Sequence, residues 1–478
     1  MKPSSPQLLK YGIKRILGLM SVQPKKNEKE LKIATSRGDI EKPYLDACNL
    51  VLTSVEGEAD WQTELRRKAK EHFQFHGFPH RRIEEWKYTD LRSKLNAPFN
   101  LVTDQQSPEH VAQTPFDDQP GYRLLVNDGV FEPSLSSLPE QGGIEVLNLK
   151  TSGKDLPAWV REQLGFRLSG SSPQPMLALS TALMQDGIFI RIAEDIILDK
   201  PIHVIFQTTK DAAQYHTRCV VLLEKGAQAN ILESHVSVNT DASFHNQGTD
   251  ILLKESAQLN HMVVEASAKE NFHVTSLNTR LGKNARFETV SVVSGGALVR
   301  NEMDIALEGK RASANLSGVY MLADQQLCDH TIVVAHAAPD CTSKQVYQGI
   351  LTGKSRGVFQ GKVFVAEGSG GTDAHQLSRT LLLSDKAEAD SKPELEIYAD
   401  DVKCSHGATI GELDKEALFF LRSRGIPLGA AKALLIEAFL DDVIESQAQE
   451  LLKEPIKSHI SKWLKEHEQE IIEEGHTL

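Results

Sequence analysis

A turn signal recurs along the middle of this chain at a nearly constant interval. An alanine stands in a charged turn before a run of β-forming residues at Ala227, Ala257, Ala285 and Ala312, and a similar turn contains Ala387. The first four alanines are 30, 28 and 27 residues apart. A repeat of that length is typical of a solenoid, in which successive coils stack and small residues let the turns pack closely.

β-type runs fill the region between these turns and continue beyond them. A β-sandwich would show strands every ~8–12 residues with hairpin turns, and an α/β fold would place helices between its strands. The region shows neither pattern, so the sequence predicts a mainly β fold, with a parallel β-helix over residues 119–410. A hairpin at Asn127-Asp128-Gly129 should precede the coils. The predicted runs are Ile188–Ile192, His203–Gln207, Cys219–Leu223, Ile251–Leu253, His261–Glu265, Phe287–Val293, Ile332–Ala335 and Val363–Val365.

The region before the repeat, residues 1–118, has helical periodicity. Asp60 is placed to cap a helix, and Gly77 to end it. The apolar positions of this helix recur every fourth residue at Trp61, Leu65, Ala69 and Phe73. Near the N-terminus, Lys14 and Arg15 interrupt an apolar stretch. This interruption favours a disordered extension, or translation from Met20, over a targeting peptide.

Four further segments precede the long run of predicted strands. Residues 103–121 are rich in Gln, Pro and Asp, which indicates a linker. Short helices are predicted at Pro157–Leu164 and Met176–Met184. The aromatic and charged segment Pro79–Asp90 favours a docking role, in which the aromatic side chains pack and the charges stay in solvent.

The last region, residues 411–478, is predicted to be helical. Asp414 caps a first helix over Lys415–Ser423, a second helix opens at Pro427, and a third starts at Pro455. Helices this short bury little surface alone, so part of the apolar stripe on the second should face the β-helix end or another protein. That stripe contains Ala431, Leu434, Leu435, Ala438, Phe439, Val443 and Ile444.

The composition excludes several classes of function. The formal net charge of −12 argues against a nucleic-acid-binding protein, because no basic patch dominates the chain. No apolar run is long enough to cross a bilayer. The five cysteines are widely spaced and include no Cys-x-x-Cys pair, which indicates a reducing cytosol. The sequence contains no His-Glu-x-x-His motif and no dinucleotide-binding fingerprint.

Two residues near the end of the repeat are candidate metal ligands. Residues 394–398 alternate acidic and apolar side chains, which predicts a strand with one buried face. Cys404 and His406 follow two residues apart, so a strand would place both side chains on the same face. A thiolate and an imidazole are common ligands of zinc and of iron–sulfur iron. Two ligands do not complete a site, and a structural role for both residues stays open.

Other polar groups favour structural roles. His330, His336 and Cys341 could meet at a metal, but they surround a turn that contains proline, and a structural role is the stronger interpretation. The Gly-rich segment 367–373 lacks the Gly-Lys-Ser/Thr ending of a phosphate loop and indicates a turn between coils. The pair Asp400-Asp401 could serve the carboxylate chemistry of a β-helix enzyme that degrades polysaccharides.

Three motifs resemble the SufB/SufD family of iron–sulfur cluster assembly proteins. The longest is Lys392–Thr409, in which Lys-Cys-Ser-His-Gly-Ala-Thr at 403–409 is similar to the SufD branch of the family. Phe419–Ile426 and Glu85–Thr89 resemble the same family. The resemblance covers roughly residues 60–445, and the first ~50 residues lie outside it.

The resemblance implies a right-handed parallel β-helix between two helical regions. It implies a cytoplasmic, non-catalytic scaffold subunit that pairs with a SufB-like subunit through the β-helix ends and binds a SufC-like ATPase through its C-terminal helices. A cysteine desulfurase would supply sulfur, and SufD is linked to iron acquisition and, in the complex, to reduced flavin. Carried over by motif, His406 would help to hold a nascent, transient iron–sulfur cluster at the SufB–SufD interface, with Cys404 beside it. We expect Phe419, Leu435 and Phe439 to contact the ATPase subunit.

Three alternatives remain from the residues alone. The chain could be a β-helix enzyme that degrades polysaccharides. It could be a zinc protein that uses Cys404, His406 and another histidine. It could also form a homodimer, because a β-helix with exposed end strands invites edge pairing.

Overall fold

A computed structural model describes residues 40–54, 58–95, 98–102, 107–166, 173–239, 241–447 and 450–473. The predictions for the N-terminal extension, including translation from Met20, lie outside these residues. The core of the described chain is a parallel β-helix made of two long sheets, and helices flank it on both sides. The predicted fold class, a mainly β solenoid between helical regions, is confirmed.

The two sheets take alternate strands of the chain, so each coil contributes one strand to each sheet. Sheet 1 has the order β19-β17-β15-β13-β11-β9-β7-β5-β4, and β1 also pairs with β7. Its strands are β1 (Asn100–Leu101), β4 (Ile144–Asn148), β5 (Asp186–Ile192), β7 (Ala213–Leu223), β9 (Phe244–Leu253), β11 (Phe272–Leu281), β13 (Leu298–Leu307), β15 (Leu327–His336), β17 (Arg356–Val365) and β19 (Glu388–Ile397).

Sheet 2 has the order β20-β18-β16-β14-β12-β10-β8-β6-β2-β3. Its strands are β2 (Tyr122–Asn127), β3 (Val130–Phe131), β6 (Ile202–Thr208), β8 (Gln228–Ser237), β10 (Gln258–Glu265), β12 (Arg286–Val293), β14 (Ser313–Leu322), β16 (Thr342–Leu351), β18 (Asp373–Leu382) and β20 (Lys403–Gly411). The predicted hairpin at Asn127-Asp128-Gly129 is confirmed as the antiparallel β2–β3 turn. Both Asp128 and Gly129 have positive φ, as a two-residue hairpin turn requires.

The recurring alanines lie at the corner where the chain passes from sheet 1 to sheet 2. Ala227, Ala257, Ala285 and Ala312 are fully buried there. The residue before each one has a left-handed backbone, which turns the chain sharply: Gly226, Ser256, Asn284 and Arg311. The same corner continues with Asp340–Cys341, Gly371–Thr372 and Asp401–Val402, so Cys341 replaces the small corner residue of the next coil. Ala387, in contrast, belongs to the opposite corner, between β18 and β19.

The predicted β runs are correct in place but too short. The strands of most coils span 10 residues, whereas the predicted runs cover only their most apolar parts. Strand β16, for example, carries Gln345 at an interior position, which hides the alternation that marks a strand. The Gly-rich segment 367–373 is a turn between coils, as predicted.

The N-terminal helices cover the outer face of sheet 1. They are α1 (Lys42–Ser54), α2 (Asp60–His76), α3 (Leu91–Lys94), α4 (Leu149–Ser152), α5 (Ala158–Phe166) and α6 (Pro175–Leu183). Phe73 of α2 packs with Phe244, Leu298 and other outward residues at the strand starts. The N-cap of α2 is Ala59, so the prediction of Asp60 as cap is wrong by one residue; Gln62 instead accepts the backbone N–H of Ala59.

The segment Pro79–Asp90 docks on the same face, as predicted. Trp86 is buried, and the guanidinium of Arg300 lies 3.7 Å from its ring centroid. Arg300 also pairs with Asp329, and both side chains are fully buried beneath the aromatic ring. The Arg300 guanidinium donates to the Glu85 carbonyl at 2.7 Å. This charged pair ties the N-terminal layer to sheet 1 at a fixed place, because a buried ion pair loses stability unless every partner is present.

The C-terminal helices cover the outer face of sheet 2. They are α7 (Lys415–Ser423), α8 (Leu428–Gln447), α9 (Glu450–Glu466) and α10 (Glu468–Glu473). Asp414 caps α7 as predicted, by accepting the backbone N–H groups of Glu416 and Ala417. The predicted helix start at Pro455 is wrong, because α9 begins at Glu450 and Pro455 lies in its second turn. A proline there displaces only one backbone hydrogen bond near the helix start.

The apolar stripe of α8 is rotated relative to the prediction. Ile436 and Leu440, which the predicted stripe omits, are fully buried against outward residues of β14 and β16. Leu434 and Ala438 are exposed, although the prediction included both. The helix therefore packs along the side of the β-helix, and not over its end as one alternative allowed.

Candidate functional site

The last coil, formed by β19 and β20, is the one coil of the described chain that no later coil covers. Both strands are terminal in their sheets. None of residues 394–398 is buried, so the prediction that this strand has one buried face is wrong. The sequence alternates as expected, but the layer that would cover the inner face is missing. Ile397 and Ile410, whose positions face the interior in earlier coils, are 39% and 46% exposed.

Cys404 and His406 lie on the interior side of β20. Cys404 pairs with buried Ala374, and His406 pairs with buried Gln376. Continued down the ladder, both columns reach residues of the core between the sheets, such as Phe287 for Cys404. The prediction that both side chains share one face therefore agrees with the strand register. At this position they line the mouth of the β-helix.

The two side chains differ in exposure and in chemistry. Cys404 is partly buried and packs with Val363, Val365 and Ala374, whereas His406 is exposed. Burial, together with the carboxylate of Asp373, raises the pKa of the Cys404 thiol. The thiol is therefore mostly protonated at neutral pH and becomes a ligand only when a cation displaces its proton.

A buried amide lies one coil below His406. The side chain of Gln376 is buried, and neither its oxygen nor its nitrogen has a hydrogen-bond partner among the described residues. Gln345, one coil deeper, has the same unpaired amide atoms. These groups give the mouth a polar floor beneath an apolar rim, so a polar or charged group that entered there would meet donors and acceptors.

The other histidine near this mouth faces outward. His375 lies on β18 beside Ser405, and its Nδ1 is 2.6 Å from the Ser405 Oγ. Its Nε2 is 2.7 Å from a carboxylate oxygen of Asp373. Among the described residues, no group of three possible metal ligands includes Cys404 or His406. Within the described part of the chain, these two side chains are therefore two possible ligands without a third.

The second predicted cluster is not brought together. His330 and His336 lie on β15, but the His330 Nε2 is 3.4 Å from the Cys328 Sγ, whereas the His336 Nε2 is 2.8 Å from the Ser343 Oγ. Cys341 donates to the carbonyl of Gly309 at the coil corner. All five cysteines are free thiols, as the absence of a disulfide framework predicts. The structural interpretation of this cluster fits its geometry.

A Gly-x-Ser-x-Gly sequence at 353–357 does not form a nucleophile elbow. Ser355 is fully buried in the turn between β16 and β17, and its hydroxyl donates to the carbonyl of Thr352 at 2.7 Å. A serine held in this way cannot meet a substrate.

Two family models match consecutive parts of the chain. The model described as "SufBD protein N-terminal region" matches residues 41–204, and the model described as "SUF system FeS cluster assembly, SufBD core domain" matches residues 205–439. The iron–sulfur cluster assembly protein SufD of Escherichia coli is 31% identical over 392 residues, which cover 81% of this chain and 90% of the relative. The chain belongs to the SufBD family.

A second SufBD relative gives the same result. An iron–sulfur cluster assembly SufBD family protein of Synechocystis is 32% identical over 411 residues, which cover 83% of this chain and 87% of the relative. The resemblance inferred from the motifs is confirmed, and the link to iron–sulfur cluster assembly rests on the family. Within the described residues, no helix has the length and apolar character needed to span a membrane.

The sequence alone does not show which polar side chains line the mouth of this SufBD protein. Spacing indicated Cys404 and His406, but the inward amide of Gln376 and the outward position of His375 depend on which residues pair between strands about 30 positions apart. The left-handed residues Asp340, Gly371 and Asp401 carry a signal that could have extended the repeat to its end.

Proposed function

We propose that this chain is a SufD-type scaffold subunit that completes a cluster-assembly site through the open end of its β-helix. A SufB-like subunit would dock on that end, and His406, with Cys404 beside it, would help to hold the nascent iron–sulfur cluster. The cluster is cargo of the assembly process and not a resident cofactor. The observation that carries this proposal is a pair of ligands at an uncovered mouth, in a family whose relatives are named for cluster assembly.

The strand edges support docking at this end. Lys403 donates its backbone N–H to Thr372, so the odd-numbered residues of β20 bond to β18. The N–H groups of Cys404, His406 and Ala408 then point away from the sheet. Long unpaired edges are rarely left open in a protein that works alone. On β19, Pro393 interrupts the corresponding row, because Tyr398 and the other even-numbered residues bond to β17. We therefore expect β20 to be the strand that pairs.

The ligand set supports a shared site. Two ligands cannot saturate iron, and the described part of this chain supplies no third ligand at the mouth. A partner that brings its own thiolates to the same mouth would complete the coordination. This arrangement would form a cluster only after assembly and release it when the subunits separate. A second copy of this chain could dock on the same edge, and we treat the homodimer as an alternative state of the same surface.

The C-terminal region supports binding of a SufC-like ATPase. Phe419 on α7 is 69% exposed, and Phe420 beside it is also exposed. Leu435 is half-buried on α8, and Phe439 packs partly against sheet 2. Phe419 is thus the most accessible member of the proposed contact set, and Leu435 and Phe439 are less exposed. We keep the division into residues 1–118, 119–410 and 411–478 as the functional division of the chain.

The remaining parts of the proposal rest on the family resemblance. A cysteine desulfurase would supply sulfur to the assembled complex, and this subunit would assist iron acquisition without catalytic turnover of its own. Reduced flavin would act in the complex. The compartment would be the cytoplasm, with which five free thiols agree. Neither the polysaccharide-degrading nor the zinc alternative gains support from the mouth.

Anaerobic co-expression with SufB-like and SufC-like partners tests the cluster assignment. We expect a stable complex with bound iron and acid-labile sulfide, and a large loss of both for His406→Ala. His375→Ala is the matched control, because this exposed histidine is one strand away and faces outward. Normal cluster content in the His406→Ala complex would refute the role of His406. Failure of the wild-type chain to bind a SufB-like partner would refute the scaffold assignment.

A separate pull-down tests the ATPase surface. Phe419→Asp should abolish binding of the SufC-like subunit without loss of soluble protein, since Phe419 is 69% exposed. Ile197→Asp is the control, because Ile197 is 60% exposed at the other end of the β-helix. Equal loss of binding in both variants would mean that the effect is not specific to the C-terminal helices.

A further inference from the structure

Three buried histidines meet inside the β-helix, far along the chain from Cys404 and His406. His235 lies on β8, His245 on β9 and His273 on β11. One ring nitrogen of each lies within 4.8 Å of the others, and this is the one group of three possible ligands in the described part of the chain. The rings of His245 and His273 are stacked at 4.9 Å between centroids, and those of His235 and His273 are 4.2 Å apart.

Two of these rings are held by carboxylates through one nitrogen. The His235 Nε2 is 2.7 Å from a Glu233 oxygen, and the His273 Nδ1 is 2.5 Å from a Glu265 oxygen. Carboxylate partners of this kind orient metal-ligating histidines and fix the tautomer, which leaves the lone pair on the other nitrogen. Glu233 and His235 are two residues apart on β8, so both side chains lie on the same face of the strand and can pair.

The unpaired second nitrogen of the His235 ring, Nδ1, points to a missing ligand. His235 is buried, and its Nδ1 has no hydrogen-bond partner among the described residues. In the other two rings, one nitrogen lies beside a hydroxyl group. The His245 Nε2 lies 2.9 Å from the Thr217 Oγ1, and the His273 Nε2 lies 3.0 Å from the Thr275 Oγ1. A buried ring nitrogen without a partner is costly, and the cost is removed if the nitrogen binds a cation.

The surroundings would supply charge. Besides His235, the carboxylate of Glu233 also approaches the His261 Nε2, at 3.5 Å. The two carboxylates, Glu233 and Glu265, would balance the charge of a divalent ion in the interior, where an uncompensated charge is not tolerated.

We propose that His235, His245 and His273 form a binding site for a divalent first-row transition-metal ion inside the β-helix. Three imidazole nitrogens suit zinc, iron(II) or cobalt(II) better than calcium or magnesium, which prefer oxygen ligands. Bond lengths of about 2.0–2.1 Å require the three nitrogens to move closer than they are, through rotation of the rings. The fourth position would go to water or to one of the two carboxylates.

This site is distinct from the mouth and from the proposed function. Its residues lie on the first coils and not on the last one, and they need no partner chain. Because the three rings are buried, the metal would enter as the chain folds, and it would then stabilise the first coils. Its role would be structural in this chain.

Cobalt(II) loading tests the proposal. The full chain, carrying a purification tag without histidine and the substitutions Cys404→Ser and His406→Ala, would be folded with cobalt(II) or without metal. We expect one cobalt per chain by elemental analysis, with the visible absorption typical of tetrahedral cobalt on nitrogen ligands. We also expect a higher melting temperature than for the metal-free protein. His245→Asn and His273→Asn should each lower the bound cobalt at least tenfold.

The matched control is His216→Asn. His216 is equally buried on the neighbouring strand β7, but it bonds to Gln214 and lies outside the group. This variant should keep one cobalt. Cobalt that stays bound in His245→Asn and His273→Asn would overturn the proposal. If these variants do not fold, metal uptake by the parent protein tests the proposal. A parent protein that folds without taking up cobalt, zinc or iron(II) would exclude the site.

Discussion

The two ends of the β-helix differ in whether their interior residues are covered. At the first end, the short antiparallel strands β3 and β4 close the sheets, and the interior residues beneath them, such as Ile190 and Phe206, are buried. At the last end, β19 and β20 keep nearly full length, and Ile397 and Ile410 stay exposed. Short edge strands protect a sheet against pairing, and long ones invite it. The first end is therefore closed against further strand pairing, whereas the last end keeps two long strand edges at which we expect a partner to pair.

A matched pair of isoleucine substitutions should give the largest contrast. Ile190→Ala at the first end removes a buried side chain and should lower the free energy of unfolding by about 2–5 kcal/mol. Ile397→Ala at the last end should lower it by less than about 1 kcal/mol, because the side chain remains in contact with solvent. Denaturant unfolding measures both. Equal losses would show that the last end is as well packed as the first.

A charge at the open mouth should separate assembly from folding. Ile410→Lys should weaken binding of the SufB-like partner at least about 30-fold, as expected for a central interface residue worth about 2 kcal/mol. Its melting temperature should not change. Ile197→Lys, at the first end, is the control and should bind normally. Titration calorimetry or surface plasmon resonance gives the affinities, and unchanged binding of Ile410→Lys would exclude this mouth as the interface.

Acid should destabilise the interior of the β-helix. Burial lowers the pKa of His203, His330 and His336 to about 4, from 6.5 in the unfolded chain. Below pH 6.5 the unfolded state therefore binds more protons than the folded state. Each histidine then removes up to about 1.4 kcal/mol of stability per pH unit, until the folded pKa near 4 is reached. Unfolding free energies measured between pH 7 and 4 should fall accordingly, and a flat profile would contradict this assignment.

The smallest effect concerns thiol reactivity. Cys404 is the one cysteine of the five that is not buried, so a native chain should be alkylated at this residue alone. Burial raises the pKa of this thiol, so the rate at pH 7 should be a few-fold below that of an ordinary exposed thiol and should increase with pH. Mass spectrometry locates the label. Docking of the SufB-like partner should protect Cys404, and labelling that continues in the complex would argue against its place at the interface.

Much of the fold was predictable, for local reasons. The interval between Ala227, Ala257, Ala285 and Ala312 reflects the length of one coil, because the corner from sheet 1 to sheet 2 recurs once in every coil. The later corners carry Cys341, Thr372 and Val402 in place of alanine, so only the left-handed residues before them mark the repeat there. The rotation of α8 was missed because every turn of this helix carries apolar residues on more than one face.

The candidate site was predictable only in part. The strand spacing of Cys404 and His406 placed both ligands on one face, and a family motif singled out His406. The sequence also placed them near the end of the repeat, but the exposure of Ile397 and Ile410 around them could not be deduced, because it depends on whether another layer covers the last coil. The histidines 235, 245 and 273 gave no signal, since they are ordinary residues of three separate β runs.

Local order along the chain thus decided the solenoid, its coil length and the pair of ligands on β20. The folded arrangement alone decided what those ligands face and which histidines meet inside. The physical reason is that side-chain direction and turn conformation are set by neighbouring residues. Burial, charge pairing and metal geometry are instead set by strands that stack about 30 residues apart, together with the helices that cover them. The open end belongs to this second class, and we expect a partner to cover it.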